Sequence, residues 1–186
     1  MRKNFGAKPL LFPQPVFMIA AYDENGVPNA MNVAWGGISE ENEISICVSP
    51  EHKTTANILT SGAFTVSMAD AEHMSECDYL GIVSGNDVPD KLEKCGFHTT
   101  KSAFVNAPII DELLMAVECR LISYDADSCR LVGEIVNVCA DESVLNEKGR
   151  VDPAKLQPIT FDPMNNDYLV LGEKVGNAFK DGLKLR

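Results

Sequence analysis

The chain has no C-x-x-C pair among its six cysteines (Cys47, Cys77, Cys95, Cys119, Cys129 and Cys139). It therefore spells out neither a zinc knuckle nor a thioredoxin-type redox motif. Its three histidines, His52, His73 and His98, have no metal-ligand spacing among them. A G-x-S-x-G elbow, a Walker loop and a G-x-G-x-x-G fingerprint are missing as well, so protein side chains alone announce no reaction. Positive charge is also scarce. Sixteen Lys and Arg against 27 Asp and Glu leave a formal net charge of −11, and a nucleic acid or anionic membrane would demand a basic face built against that field. A local basic pocket for one small anion remains open. Long apolar runs are lacking: Pro13 and Pro15 interrupt the stretch behind the basic start "MRKNF", and "VFMIAA" is too short for a targeting core or a span. The expectation is a cytoplasmic protein with no membrane partner and with reduced, mostly buried thiols.

What is present reads as one globular domain over residues 1–186, with 45% hydrophobic and 23% charged residues, close to average usage. Strand signals dominate. "VFMIAAY" (16–22) meets "VPNAMNVAW" through Asp23-Glu24-Asn25-Gly26, and Asn-Gly between two such runs predicts a hairpin. The turn "SEENE" leads into "ISICVS" (44–49). "AFTVSMA" (63–69) alternates Phe64, Val66 and Met68 against Thr65 and Ser67. "LLMAVECRLISY" puts Met115, Val117, Cys119 and Leu121 on one face, and "DADS" joins it to "CRLVGEIVNVCA", where Gly133 predicts a bulge or tight bend. "YLVLGE" supplies a last short strand. Six or seven antiparallel strands with short turns imply a closed barrel, because closure removes the edges. Helices are short: "TTANILTSG" (54–62), a stretch around Asp70 to Tyr79, another near Asp90 to Cys95, and "EKVGNAFKDGLKL" (173–185). The acidic run Asp70, Glu72, Glu76 and Asp78 reads as a solvated face.

Two segments carry the chemistry. In "SPEHKTTANI" (49–58), Pro50 stops a strand, Lys53 brings a cation with His52 as a second donor, and Thr54 stands where it can cap the following helix. Unpaired N–H groups at a helix start, with Lys53 and threonine hydroxyls, make a phosphate seat, and plain N-capping of a surface helix is the other reading. In "NAMNVAWGG" (29–37), asparagine amides and free backbone groups beside a glycine pair suit the edge of a flat heteroaromatic ring. Trp35 as ordinary barrel core is the alternative there. Ring and phosphate together describe a mononucleotide cofactor.

The order "NAMNVAWGG", "SPEHKTTANILTSGAFTVSMA", "DYLGIVSGNDVPDK", "VECRL", "LVGEIVNV" and "YLVLGEKVG" resembles the flavin reductase-like, FMN-binding split-barrel family, in its flavoredoxin-type branch, over roughly residues 10 to 180. The resemblance implies a mainly β fold, an antiparallel, Greek-key-like split β-barrel with a few short helices, homodimeric, with one FMN per subunit near the dimer interface. It implies that Asn32, Ala34 and Trp35 lie along the isoalloxazine and that Ser49, His52, Lys53 and Thr54 bind the ribityl phosphate with Asn57 in support. Ser67 falls where the family often carries asparagine. Ser84, Gly85 and Lys91 would close over the cofactor or over the flavin of the partner subunit, with a plain surface lysine as the other reading of Lys91. The chain departs from the family at Asn32-Val33, where threonine or serine is common, and near His52, where arginine is common.

With FMN bound, the missing catalytic triad ceases to be a puzzle, since such a cofactor carries the electrons while the protein orients and protects it. Two functions follow. One is an FMN-dependent oxidoreductase that takes electrons from NADH or NADPH and passes them to an acceptor. The other is a non-enzymatic electron-transfer flavoprotein working with a redox protein partner. An acidic surface repels both an acidic ferredoxin and the phosphates of a nicotinamide nucleotide. A third reading is a split barrel that has lost flavin. A thiol role for Cys77, in "MSECDYLG", is a further hypothesis that requires it to be partly exposed beside the flavin, and Glu76 and Asp78 disfavour its thiolate.

Overall fold

Asn25-Gly26 turns the chain as its sequence predicts: Gly26 has φ 77°, Asp23 N donates to Val27 O at 2.9 Å, and the Asp23 carboxylate takes the N–H groups of Asn25 and Val27. This hairpin opens a mainly β chain, described over residues 1–186 in a computed structural model. The elements run β1 (Gln14–Pro15), β2 (Phe17–Tyr22), β3 (Pro28–Val33), β4 (Gly36–Glu40), β5 (Glu43–Cys47), α1 (Lys53–Ser61), β6 (Ala63–Met68), α2 (Met74–Ile82) and α3 (Lys91–Lys94). They continue with β7 (Thr99–Lys101), β8 (Pro108–Ile110), β9 (Met115–Asp125), β10 (Arg130–Ala140), α4 (Pro153–Leu156), β11 (Ile159–Asp162) and β12 (Asp167–Val170).

Seven strands form the main antiparallel sheet in the order β3-β2-β6-β9-β10-β5-β4. β3 and β4 are its opposite edges, yet only Ala34 and Trp35 separate them in the chain. Three Cα steps span at most about 11 Å, so the sheet must curl until its edges approach. The curl stops short of closure, since β3 and β4 do not pair. The expected barrel is therefore an open half-barrel with a seam, and Trp35 stands in the seam. Smaller sheets β1-β11-β12 and β7-β8 lie outside it.

Both faces of the sheet are covered, which explains why β2 reads as an unbroken apolar run. Phe17, Ile19 and Ala21 join Val33, Ile46, Phe64, Val66 and Val117 in the core inside the curl. Val16, Met18 and Ala20 pack outward with Cys77 and Leu80 of α2 and with Leu92 and Phe97. Thr65 and Ser67 are consequently buried although polar. The Gly133 bulge is present between β9 and β10. A Cβ there would lie 2.4 Å from Phe64 Cζ, so the glycine makes room for a core phenylalanine. α1 packs against the curl through Ile58 and through Asn57, whose amide donates to Ala21 O at 3.3 Å, and it ends at Gly62 in the left-handed conformation.

Several expectations change. Residues 173–185 form only a short 3-10 turn, Asp181–Leu185, because Gly176 and Gly182 interrupt the apolar spacing that a helix needs. Half of the acidic run is structural. Asp70 is buried and accepts from His73 N and Nδ1 at 2.8 and 3.0 Å, and Asp78 accepts from the Tyr168 hydroxyl at 2.7 Å. Of the cysteines only Cys77 and Cys119 are buried, while Cys47 is exposed and the others are half-buried. No helix is long and apolar enough to cross a membrane.

Candidate functional site

The start of α1 is unusually open. Ser49 O accepts from His52 N at 3.3 Å and from Thr55 Oγ1 at 2.8 Å, which folds the "SPEH" segment onto the helix. No side chain caps the helix, and its first turn holds no acidic residue. The expected cap, Thr54, is instead a buried helical residue whose Oγ1 accepts from Asn29 Nδ2 at 2.6 Å. His52, exposed, takes the capping position without capping. The free N–H groups and the positive end of the helix dipole are thus left for something else. Lys53 adds an ammonium 3.6 Å from Asp23 Oδ2. The Asp23 carboxyl is held below its usual range first by the Val27 N–H, with the Asn25 N–H and Lys53 contributing less.

Facing this corner are the end of α2 and the loop after it. Together they enclose a pocket of about 210 Å³ lined by Asn29, Met31, His52, Lys53, Thr54, Gly81, Ser84, Gly85 and Lys91, among others. Lys91 is far from a plain surface lysine. It is 2% exposed, and its Nζ donates to Leu80 O at 2.8 Å and Val83 O at 2.7 Å, closing the C-terminal end of α2. Burial pulls its pKa down to about 8. Two of its three donors are committed to those carbonyls. The Ser84 hydroxyl accepts from Asn86 N at 3.1 Å, which shapes the loop. Gly85 leaves space that a Cβ would take from the Asn29 amide, 2.1 Å away from Oδ1.

Ala34 and Trp35 line a different, larger pocket of about 600 Å³ with Pro9, Pro13, Gln14, Cys47 and Arg130. Trp35 is 56% exposed, so it is not barrel core. Its backbone is pinned, because Trp35 O accepts from Cys47 N at 2.8 Å. Three chain steps separate Met31 in the first pocket from Ala34 in the second, at most about 11 Å. A ligand held at α1 can therefore lie along β3 toward Trp35. Asn32 lines neither pocket. Its Nδ2 donates to Cys77 O at 3.2 Å, and a Cβ at Gly81 would collide with it. Ser49 acts through its backbone, Asn57 is turned to β2, and Ser67 is wholly buried with its hydroxyl unpartnered. Cys77 is fully buried, against the hypothesis of a thiol role, and burial with Asp70 and Glu76 nearby pushes its thiol up to about 12. It is an inert core thiol.

The sequence profile of the flavin reductase-like domain matches residues 10–160. The chain belongs to the flavin reductase-like family. Among solved structures, flavoredoxin of Desulfovibrio vulgaris (Miyazaki F) is 34% identical, with TM-score 0.94 over 98% of this chain and 100% of that one. Flavoredoxin from Methanosarcina acetivorans is 26% identical, with TM-score 0.89 over the whole of both chains. An FMN-binding domain of a flavin reductases-like enzyme from Shewanella baltica OS155 shares the fold, at 20% identity and TM-score 0.79 over 88% of this chain and 89% of that one.

For a flavin reductase-like chain, the donor set at α1 fits a phosphate: open helical N–H groups, the Thr54 hydroxyl, Lys53 and His52, with one buried acceptor, Asn29 Oδ1, unpartnered beside them. The pocket is too small to hold a tricyclic ring as well. Motif reading overlooked Asn29, Gly81 and Arg130. The sequence signal for Asn29 is an amide in an otherwise largely apolar strand, three residues before Asn32.

Proposed function

We propose that the chain binds FMN, with the phosphate in the α1 pocket and the ring along the end of β3 toward Ala34 and Trp35, where Asn32 would contribute backbone only, and carries electrons in the manner of a flavoredoxin. The observation that carries this reading is the uncapped, acid-free start of α1 opening onto a pocket of donors beside the glycine-flanked strand β3. Bound FMN would supply the capacity to accept and release electrons that the side chains lack. Thr54, Lys53 and His52 would hold its phosphate, with Ser49 shaping the corner. Ser84 and Gly85 would close the pocket, while Lys91 and Asn57 keep α2 and α1 in place. Trp35 would present a flat apolar face at the seam, where a partner or a second copy of the chain shields the ring. A homodimer is part of this reading, supported by exposed Leu11, Phe12, Trp35 and Ile38. Leu11 and Trp35 line one pocket, and exposed apolar side chains of this size favour a protein contact.

A protein electron donor is favoured by the full-length likeness to the Desulfovibrio flavoredoxin. Direct reduction by NADH or NADPH is the second reading, favoured by membership of the flavin reductase-like family. One experiment separates them: the visible spectrum of the purified protein, followed anaerobically on adding NADH, then NADPH, then a reduced low-potential redox protein. Bleaching by the protein donor alone is the expected result. Bleaching by either nucleotide makes the chain a reductase, and a colourless protein that takes up no added FMN overturns both readings.

A further inference from the structure

Residues 172–186 are exposed without exception. Val175 and Phe179 stand almost fully in solvent, Leu183 and Leu185 are exposed as well, and none of the four belongs to a core cluster. The hydrogen bonds of the segment run between its own residues, as from Asn177 N to Asp181 Oδ2 at 2.8 Å, and its ion pair, Lys184 Nζ to Asp181 Oδ1 at 3.5 Å, is internal too. Apolar burial is what offsets the entropy of ordering a chain, and the segment finds none on its own molecule. Its charge is also out of character. Four of the 16 Lys and Arg lie in it (Lys174, Lys180, Lys184 and Arg186) but only two of the 27 Asp and Glu (Glu173 and Asp181), so a basic, apolar strip hangs from a strongly acidic body.

Such a strip fits an acidic surface with apolar side chains at its centre, and the seam of the sheet offers one. Leu11, Phe12, Trp35 and Ile38 are exposed there, beside the cavity of about 600 Å³ that Leu11 and Trp35 line. The edge strand β4 ends in Glu40, followed by Glu41; Glu40 lies opposite Glu43, and Glu43 opposite Glu134. Like charges directly across a sheet repel. Only Glu134 has a cation, Arg120 at 2.9 Å, which leaves Glu40, Glu41 and Glu43 without one. None of residues 172–186 lines the cavity of its own chain. We infer that residues 172–186 are an exchanged arm: in the homodimer, the arm of each copy lies over the seam of the other, with Phe179 and Leu183 against Leu11, Trp35 and Ile38 and with Lys180 and Lys184 beside Glu40, Glu41 and Glu43. A reciprocal contact of this kind is closed by two-fold symmetry and leaves no open end. The inference rests on the homodimer of the reading above and not on flavin being bound, and it makes the cover over Trp35 a segment of the partner.

Analytical ultracentrifugation of the 186-residue chain, with FMN uptake followed separately by visible absorbance, tests the arm. Wild type is expected to be a dimer that loosens as salt is added. Phe179→Asp, at a side chain that supports nothing in its own fold, should raise the dimer dissociation constant by at least about tenfold. Lys180→Glu with Lys184→Glu should weaken the dimer at low salt, and adding Glu40→Lys and Glu41→Lys to the same chain should restore it. A benzophenone side chain at position 179 of an isotopically light copy, mixed with heavy copies and irradiated, should join light arm peptides to heavy peptides spanning residues 9–15 or 35–41. Cross-links confined to one copy, or a dimer indifferent to Phe179→Asp and to the charge reversals, overturn the arm and leave the homodimer and the FMN reading standing. Cross-links to an added acidic ferredoxin in place of the second copy overturn it as well, since the segment then serves a redox partner. A monomeric wild type that still takes up FMN removes the homodimer and the arm together but not the flavin.

Discussion

At the scale of single residues, the polar groups that the core tolerates are the informative ones. Lys91 is held among apolar neighbours by two carbonyls, and burial brings its pKa from 10.5 down to about 8. The folded chain therefore releases this proton before the unfolded chain does. Between those two pH values the unfolded state binds more protons, so the contribution of Lys91 to stability rises with pH across about 8 to 10.5 and is least favourable below 8. Buried Cys77 and Cys119, whose thiols are pushed up to about 12, act in the opposite sense at high pH. The clean measurement is thus the difference between wild type and Lys91→Met in urea midpoint across this range. That difference should grow with pH in favour of wild type, and a flat difference would remove the assignment. Motif spacing can mark Lys91 as a cation near the site, but only the path of α2 reveals that its charge is spent on helix carbonyls.

At the scale of elements, short pieces are fastened by side chains to longer ones. The β7–β8 hairpin carries no large core of its own, and His98 closes its base by donating its N–H to Glu112 Oε2 at 2.9 Å and placing Nδ1 2.7 Å from Oε1. The hydrogen bond to Glu112, and then its charge, raise the His98 pKa above 6.5. The imidazolium form therefore supports the hairpin fully below about pH 6.5, and that support is lost as pH rises through the higher folded value. Hydrogen exchange at the amides of residues 99–101, 109 and 110 should quicken, after correction for intrinsic rates, as pH rises from 6 to 8. Glu112→Gln should remove most of that pH dependence, and an unchanged dependence would show that His98 has no part in it.

At the scale of the molecule, charge and curvature dominate. On the proposed electron-carrier role, a formal net charge of −11 would set the terms on which a partner protein approaches the seam. Reduction of a basic c-type cytochrome by the reduced protein should slow as ionic strength rises, whereas exchange with an acidic ferredoxin should quicken, because salt screens attraction in one case and repulsion in the other. Stopped-flow rates from 0.02 to 0.5 M salt test this, and salt-independent rates with both partners would mean that docking avoids the acidic surface. Curvature matters equally, since the two pockets come within reach of one ligand only because the sheet folds β3 and β4 toward each other.

Local pattern determined much of this protein. The Asn25-Gly26 hairpin, the two-faced alternation of β6 and β9, the Gly133 bulge and the helix start after Pro50 are each written within a few consecutive residues, where backbone preference and side-chain periodicity act directly. The tertiary structure decided what depends on residues far apart in sequence. It joined Asn29 to Thr54, 25 residues on, buried Cys77 and Lys91, turned Asn57 and Asn32 to structural partners, and left Trp35 exposed at an open seam. A side chain's type can be read along the chain, but its burial and its hydrogen-bond partner are set by which distant segment the curl of the sheet brings against it.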